Sequence, residues 1–185
     1  MTEPAPLRVG VWCAILDDGA LLLSKRSDLN VWALPGGRLD AGAMLAEAAA
    51  RELEEETGLE AAHLRPAGLY YLAGWGRLNV LFAGSRCGGA LVSRTAETRA
   101  NRFFPLKALP PMPLRAPAED AAAGRSGQLR ALHTSRFQML RLRARFAARY
   151  LKNALRGRPE PSFPRFTVTV AAMVTRSGDG RVLTI

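Results

Sequence analysis

The sequence has few cysteines, no long apolar run and, over one stretch, no acidic residue. Its two cysteines, Cys13 and Cys87, are too few for a disulfide-stabilised scaffold and are typical of a reducing compartment. No apolar run approaches the roughly 18 residues that a membrane-spanning helix needs. The first six residues lack the basic and then apolar pattern of a secretory signal. We therefore expect a cytoplasmic protein.

Acidic residues are absent from residues 125–158, which hold ten of the 26 Lys and Arg residues. The rest of the chain carries as many acidic as basic residues, so the net charge of +10 arises in this one segment. A basic chain is typical of nucleic-acid-binding proteins, but here the domain outside the segment is neutral. With 185 residues, 48% of them hydrophobic, the chain is long enough for one domain and an additional segment.

Apolar runs and turn residues predict alternating strands and helices. Residues 7–16 and 20–25 predict a hairpin around Asp18-Gly19, and residues 44–57 predict a helix that ends at Gly58. Other strands are predicted at 67–73, 77–84, 89–93 and 101–104, a helical turn at 106–109, a loop at 110–127 and a long helix at 128–156.

This order of elements predicts four parts of the chain. They are a domain at 1–115, a loop or linker at 116–127, a basic amphipathic helix at 128–156 and a β-hairpin at 160–185. Residues 168–174 resemble residues 9–15 in their apolar pattern. The last hairpin is therefore either an unrelated apolar hairpin or the start of a truncated second copy of the domain.

Three glutamates share one face of the helix predicted at 44–57. Glu52, Glu55 and Glu56 lie within about 100° of arc, near the helix end where the dipole is negative. Their mutual repulsion would be offset by a divalent cation that prefers oxygen ligands, such as Mg²⁺ or Mn²⁺. The alternative is a solvated, glutamate-rich helix end. The preceding Gly36-Gly37 favours the metal interpretation, because a tight loop presents backbone groups to a metal and to phosphates.

The segment from Gly37 to Leu59 resembles the Nudix box: Gly, five residues, Glu, seven residues, then Arg-Glu-aliphatic-any-Glu-Glu-any-Gly-aliphatic. The positions in register are Gly37, Arg51, Glu52, Leu53, Glu55, Glu56, Gly58 and Leu59. Residues 32–37 and 102–110 are similar to segments that flank the box, and the resemblance covers residues 7–115. It implies a Nudix-like α/β/α sandwich with a mixed sheet, flanked by the box helix and by part of the long C-terminal helix.

The resemblance also implies an activity and a set of site residues. The activity is Mg²⁺-dependent (or Mn²⁺-dependent) hydrolysis of the diphosphate in a nucleoside diphosphate linked to another moiety. Glu52, Glu55, Glu56 and the Gly36 carbonyl are the implied metal ligands, with Arg51 orienting Glu52. The implied catalytic set is Glu52, Glu55, Arg51 and Glu97, and the implied substrate-binding set is Gly36, Gly37 and Arg38. Glu97 is either a distal metal ligand or general base, or an ordinary surface residue.

One position departs from the family pattern. Ala43 stands where the box has its first glutamate, which in the family supports the loop and the box arginine. Glu47, four residues before Arg51, is a candidate substitute for that ion pair. Because of Ala43, a catalytically weak nucleotide-binding sensor on the same fold is an alternative function.

The basic segment predicted as a helix leaves several partners open. We favour an apolar face packed on the domain or on a second subunit of a homodimer, with a solvated arginine face. The alternative is contact with nucleic acid or an anionic membrane through Arg141, Arg145 and Arg149. In that case the protein would be an interaction protein that acts through this helix.

Overall fold

The computed structural model of the chain describes residues 7–73, 75–133, 136–155 and 157. Its strands are β1 (Arg8–Asp17), β2 (Ala20–Arg26), β3 (Trp32–Ala33), β4 (Leu59–Leu72), β5 (Arg77–Gly89), β6 (Thr98–Pro105) and β7 (Gln128–Leu132). Its helices are α1 (Leu45–Thr57), α2 (Arg115–Ala122) and α3 (Arg136–Leu155), with one turn of 3-10 helix at Leu106–Ala108.

The predicted first hairpin is present, and its turn explains why it forms. Asp18 and Gly19 both adopt positive φ, at 45° and 72°. Two such residues between paired strands are typical of the tight hairpin turn that matches the twist of β-strands. The strands separate beyond this turn, because β1 and β2 are paired only at the two positions next to it.

The sheet is mixed, as predicted. The strands follow the order β3-β2-β1-β5-β4-β7, and β6 pairs with β2. β1 is parallel to β5 and β4 is parallel to β7, whereas the β4–β5 and β2–β6 pairs are antiparallel. Where β2 leaves β1, residues 35–39 take its place, because the amides of Val11 and Cys13 donate to the carbonyls of Gly37 and Pro35. The glycine loop is therefore fixed against a central strand.

Alternate side chains of β1 enter two different core layers. Val11, Cys13 and Ile15 lie on the side of α1, in two neighbouring clusters that also contain Ala49 and Leu53. Trp12 and Ala14 lie on the opposite side, in a cluster that also contains these residues of the sheet, of α2 and of two connecting segments: Leu21, Leu23, Leu34, Ala67, Tyr70, Leu72, Leu81, Leu109, Ala118 and Ala121. The two layers make an α/β/α sandwich.

The helix that contributes buried side chains to the second face is α2, whereas the prediction placed part of the long C-terminal helix there. Among the described residues of α3, none belongs to this core cluster. α2 also lies where residues 116–127 were predicted as a loop. Its Pro117 is in the first helical turn, where no backbone N–H is needed, so proline does not stop the helix. Pro117, Ala118 and Ala121 are buried. Packing on the sheet thus stabilises a short helix in a segment that resembles a linker.

The start of the basic helix also differs from the prediction. Residues 128–132 form β7, whose partner along the edge of the sheet is β4, and α3 begins only at Arg136. Backbone pairing with β4 outweighs the helical pattern of these five residues, since an exposed strand edge offers unpaired N–H and C=O groups. Residues 89–93 were predicted as a strand, but β5 ends at Gly89. The hairpin predicted at 160–185 lies outside the described residues.

Candidate active site

Helix α1 is anchored on the sheet by small and apolar side chains. Ala48, Ala49 and Leu53 are at most 2% exposed. The helix ends as predicted at Gly58, which adopts a left-handed conformation (φ 74°) and donates its N–H to the carbonyl of Glu54 at 2.7 Å. This anchoring fixes the last two turns of α1, and with them the glutamates.

The absence of a side chain at Gly36 and at Gly37 matters for two different reasons. Gly36 has φ 147°, and a side chain there would overlap the carbonyl of Val11 on β1. A side chain at position 37 would overlap the carboxylate of Glu52. The second contact shows that Glu52 lies directly against the loop.

Glu56 reaches the same loop from the next turn of α1. Its side chain is buried, and Oε2 accepts a hydrogen bond from the N–H of Gly36 at 3.1 Å. Burial raises the pKa of Glu56 to about 7, although the Gly36 hydrogen bond and the charge of Arg26 oppose the shift. The charges of Glu52 and Glu97 raise it further.

Glu52 shares this environment. Burial also raises its pKa, and the positive charge of Arg51 opposes the shift. The charges of Glu55 and Glu97 raise the pKa of Glu52 as well. Several carboxylates near one loop concentrate negative potential there.

Arg51 connects the helix to the loop that precedes it. Its guanidinium donates to Glu52 Oε1 at 3.1 Å, to Glu55 Oε2 at 2.9 Å and to Asp40 Oδ2 at 3.0 Å. The loop carboxylate that pairs with Arg51 is thus Asp40, and the expectation that Glu47 supplies this pair is wrong. Asp40 lies close to α1 because its neighbour Leu39 packs in one cluster with Ala48 and Ala49 of that helix.

Glu55 does not join the other two glutamates at the loop. Its side chain is 58% exposed and is held by Arg51. Helical spacing placed the three carboxylates on one face, but the loop covers only the part of that face that holds Glu52 and Glu56. Within the described ranges, no three His, Cys, Asp or Glu residues are grouped so that they could hold a metal ion without further ligands.

Glu97 lies in the turn before β6. It is exposed, its N–H donates to Thr95 Oγ1 at 3.2 Å, and its carbonyl accepts from the N–H of Ser27. Its charge raises the pKa values of both Glu52 and Glu56, so it belongs to the same electrostatic environment.

The spacing of sequence motifs did not identify Arg77, on β5. Its Nη2 donates to the carbonyl of Gly37 at 3.2 Å and its Nε donates to Asn79 Oδ1 at 2.9 Å. Burial, followed by the charges of Arg26 and Arg8, lowers the pKa of Arg77 to about 10, while Glu52 opposes the shift. No local pattern predicts this contact, because it depends on the parallel pairing of β1 with β5.

Gly10 and Arg38 complete the surroundings of Arg77. A side chain at position 10 would lie 2.6 Å from Arg77 Nη2 and 2.7 Å from the Gly37 carbonyl, so Gly10 leaves room for the arginine. Arg38 is half-buried and pairs with Gly10 in an isolated antiparallel bridge. Its positive charge also lowers the pKa of Arg77. The glycine loop therefore contacts both a glutamate, Glu52, and an arginine, Arg77.

The donors at the loop fit a hard divalent cation in their chemistry. Glu52 and Glu56 supply two carboxylates that both lie against the glycine loop. Mg²⁺ is typically bound through one or two carboxylates, with water and substrate phosphates as the remaining ligands, and needs no complete protein cage.

Helix α3 contacts the domain at the segment that follows β2. Arg145 donates to the carbonyl of Leu29 at 2.9 Å, and Arg149 donates to Asp28 Oδ2 at 3.1 Å. Asp28 also accepts two hydrogen bonds from Arg26, both at 2.9 Å. Of the arginines considered for nucleic acid or membrane contact, Arg145 and Arg149 thus bond to the domain itself. None of the helices in the described part of the chain has the length and apolarity to cross a membrane.

Known proteins resemble the chain in sequence and in fold. A family model described as "NUDIX domain" matches residues 6–124. A Bacillus subtilis (strain 168) protein named "Putative 8-oxo-dGTP diphosphatase" is 37% identical over 102 residues, which are 55% of this chain and 68% of that protein.

Two solved structures illustrate the similarity in fold. A NUDIX hydrolase from Nitrosomonas europaea superposes with a TM-score of 0.59 at 21% identity, over 71% of this chain and 82% of that one. An ADP-ribose pyrophosphatase from Streptococcus suis 89-1591 superposes with a TM-score of 0.55 at 26% identity, over 70% of this chain and 99% of that one. The matched part of the chain contains the glycine loop and α1.

Proposed function

The chain belongs to the NUDIX family and is a hydrolase of the pyrophosphohydrolase type, and we propose that it cleaves the diphosphate of a nucleoside diphosphate linked to another moiety. The observation that carries this proposal is the meeting of Glu52 and Glu56 at Gly36 and Gly37. A loop and two carboxylates in this arrangement can bind a metal and a phosphate chain together.

Glu52 and Glu56 would hold the divalent cation, Mg²⁺ or Mn²⁺, with the Gly36 carbonyl as a further candidate ligand. When bound, the cation supplies positive charge to the phosphate oxygens and acidifies water. Arg51 keeps Glu52 in place through its ion pair, and Asp40 keeps Arg51 in place from the loop side. Glu55 contributes to the same ion-pair network from the solvent side.

The reaction is the attack of a water oxygen on a diphosphate phosphorus. The bridging P–O bond breaks, the electron pair leaves with the departing phosphate, and the proton of the water passes to a carboxylate. Glu97 is our candidate for that general base, since its charge influences both loop glutamates. Arg38, which follows the loop in sequence, is our candidate for binding a phosphate oxygen.

Two substrate classes follow from the relatives. The name of the Bacillus subtilis protein favours an oxidised purine nucleoside triphosphate, in which the linked moiety is a phosphate. The name of the Streptococcus suis protein favours ADP-ribose, in which the linked moiety is a sugar. Both share the phosphoanhydride next to a nucleoside, which is the bond that the loop and carboxylates are suited to cleave.

Replacing Glu52 with Gln tests the proposal. The variant should fold normally, because the substitution keeps the shape of a side chain that no core cluster contains, and its kcat should fall by about a thousandfold or more. Turnover would be measured with 8-oxo-dGTP, dGTP and ADP-ribose in the presence of Mg²⁺, with the products separated by chromatography.

Glu54→Gln is the matched control. Glu54 is exposed in the same helical turns, but outside the face that meets the loop, so its replacement should leave kcat unchanged. Equal turnover by the Glu52 and Glu54 variants would contradict the assigned site. Tight nucleotide binding without turnover by the unmodified protein would instead favour the sensor function.

A further inference from the structure

The described side chains of helix α3 contact the domain along one narrow side. Leu142, Phe146 and Arg149 are partly buried, and Phe146 meets Trp75 with ring centroids 5.4 Å apart. Arg145, next to this side, bonds to Leu29. These positions fall within about 100° of the helix circumference. The other described side chains of α3 are exposed.

The opposite side of α3 is apolar and exposed. Phe137 and Leu155 are each 81% exposed, Leu140 is 66% exposed and Leu151 is 61% exposed. Between them lie exposed alanines, so that the described side chains within one arc of about 120° are all apolar: Phe137, Leu140, Ala144, Ala147, Ala148, Leu151, Ala154 and Leu155. At 100° per residue, Arg136 shares the edge position of Ala154. We call this arc the outer face of α3. A strip of this kind on a soluble domain is typical of an interaction site.

Both borders of the outer face carry arginine. At 100° per residue, Arg141 follows one edge by about 20° and Arg143 precedes the other by the same angle, and both are exposed. Residues 136–155 contain six Lys and Arg residues and no Asp or Glu. Tyr150, 62% exposed, lies beyond Arg143. The outer face therefore consists of an apolar centre with positively charged residues along both edges.

These features select one kind of partner among three. Phosphates of a nucleic acid would bind the arginines but would leave the apolar face without a role. A second copy of α3 would cover the apolar face but would bring two all-basic helices together, at an electrostatic cost. An anionic lipid surface satisfies both features, since apolar side chains enter the boundary of the acyl chains and arginines meet the headgroups.

We propose that the outer face of α3 is a docking surface for anionic lipid bilayers. The helix lies in the plane of the interface, with Phe137, Leu140 and Leu151 inserted and Arg141 and Arg143 against the headgroups. The domain does not obstruct this contact, because its own contacts with α3 lie on the opposite side of the helix. The enzyme would thereby be held at a membrane surface by a reversible contact.

Vesicle sedimentation of the full chain tests the proposal. The protein should sediment with vesicles of equal parts phosphatidylcholine and phosphatidylglycerol, and should stay in solution with phosphatidylcholine alone. The double variant Leu140→Gln/Leu151→Gln should bind the anionic vesicles at least about tenfold more weakly, because it removes two exposed leucines that would insert into the bilayer. The double variant Arg141→Gln/Arg143→Gln should bind them about twentyfold more weakly, and raised salt should act in the same direction.

Matched controls replace exposed residues elsewhere. Leu91→Gln/Leu129→Gln removes two exposed leucines outside α3, and Arg94→Gln/Arg99→Gln removes two exposed arginines of the domain. Both controls should bind vesicles like the unmodified protein. All variants alter solvent-exposed side chains, so their circular dichroism spectra should be unchanged.

Three results would overturn the proposal. One is that the unmodified chain does not sediment with anionic vesicles at low salt. Another is that the leucine variant binds as well as the unmodified protein while the arginine variant loses both vesicle and RNA binding, which would indicate polyanion binding by charge alone. The last is a dimer in light scattering that the leucine variant abolishes, without vesicle binding, which would assign the outer face to a second copy.

Discussion

At the scale of single residues, the loop at Gly36 and Gly37 shows how an absent side chain positions a functional one. Gly37 has an ordinary backbone conformation, so its lack of a side chain matters only for the space it leaves. That space holds the carboxylate of Glu52. The end of a glutamate side chain moves easily, so an intruding methyl group would displace it at little cost in stability.

Gly37→Ala is therefore expected to separate activity from folding. The added methyl group should push the Glu52 carboxylate away from the loop and lower kcat by about a hundredfold, as displacements of about 1 Å do at catalytic groups. The midpoint of thermal unfolding should change little. The measurements are steady-state kinetics and a thermal melt.

Gly88→Ala is a suitable comparison for that variant. A side chain at position 88 would also meet a glutamate carboxylate, that of Glu60 at 2.7 Å, but on β5 and outside the candidate site. It should leave kcat unchanged. If both alanine variants lowered kcat equally, the effect would arise from general strain and not from the position of Glu52.

At the scale of elements, one buried carboxylate joins α2 to two strands. Asp120 on α2 is fully buried and accepts from the Tyr70 hydroxyl of β4 at 2.9 Å, from Arg125 at 2.8 Å and from Arg130 of β7 at 2.7 Å. Burial alone would raise the pKa of Asp120, but the hydrogen bonds from Arg130, Arg125 and Tyr70 outweigh it and lower the pKa. β7 is thus tied to the sheet by side chains as well as by backbone pairing.

Asp120→Asn should lower the free energy of unfolding at neutral pH by about 1 to 3 kcal/mol, since Tyr70 and the arginines lose a charged acceptor. The folded-state pKa of Asp120 lies below its unfolded value, so its contribution is present above about pH 4 and is lost as the pH falls toward the folded-state pKa. Urea unfolding at pH 7 and at pH 3 should therefore show a smaller difference between variant and unmodified protein at pH 3.

Glu119→Gln provides the control for this pH dependence. Glu119 neighbours Asp120 and pairs with Arg115, but its side chain is 48% exposed. Exposed pairs contribute little, so this variant should unfold like the unmodified protein at both pH values. A constant Asp120→Asn effect between pH 7 and pH 3 would show that packing, and not charge, accounts for the loss.

At the scale of the whole molecule, the two cysteines lie in different environments of the sandwich, one in its core and one at its surface. Cys13 on β1 lies in the layer between the sheet and α1, and burial raises its pKa to about 12. Cys87 on β5 is exposed, in the part of the strand that extends beyond the core. The two thiols should therefore differ in reactivity, because the thiolate is the reactive form and requires access to solvent.

A thiol reagent added to the folded protein at neutral pH should modify one thiol rapidly and leave the other intact. Mass spectrometry of proteolytic fragments should place the modification on Cys87. In denaturant, both thiols should react. Rapid modification of Cys13 in the folded state would mean that the layer beneath α1 opens much more often than its packing implies.

The sequence by itself determined the features that depend on local spacing. Helix α1 with its glycine end, the first hairpin and the glycine loop before Glu52 follow from helical periodicity, from the Asp18-Gly19 turn and from the pattern of the box. These features could be predicted because their causes lie within a few residues of chain. The resemblance to the family was also found in this segment, because the box is a local pattern.

The tertiary structure alone decided the features that depend on strand register and on packing. The pairing of β1 with β5 places Arg77 next to the Gly37 carbonyl, and the conformation of the loop places Asp40 within hydrogen-bond distance of Arg51. Residues 128–132 form a strand because they pair with the edge of β4. The tertiary structure also leaves Glu55 out of contact with the loop, although its position on the helix is on the same face as Glu52 and Glu56. Contacts between residues distant in sequence are set by the competition of many weak interactions, which no short pattern contains.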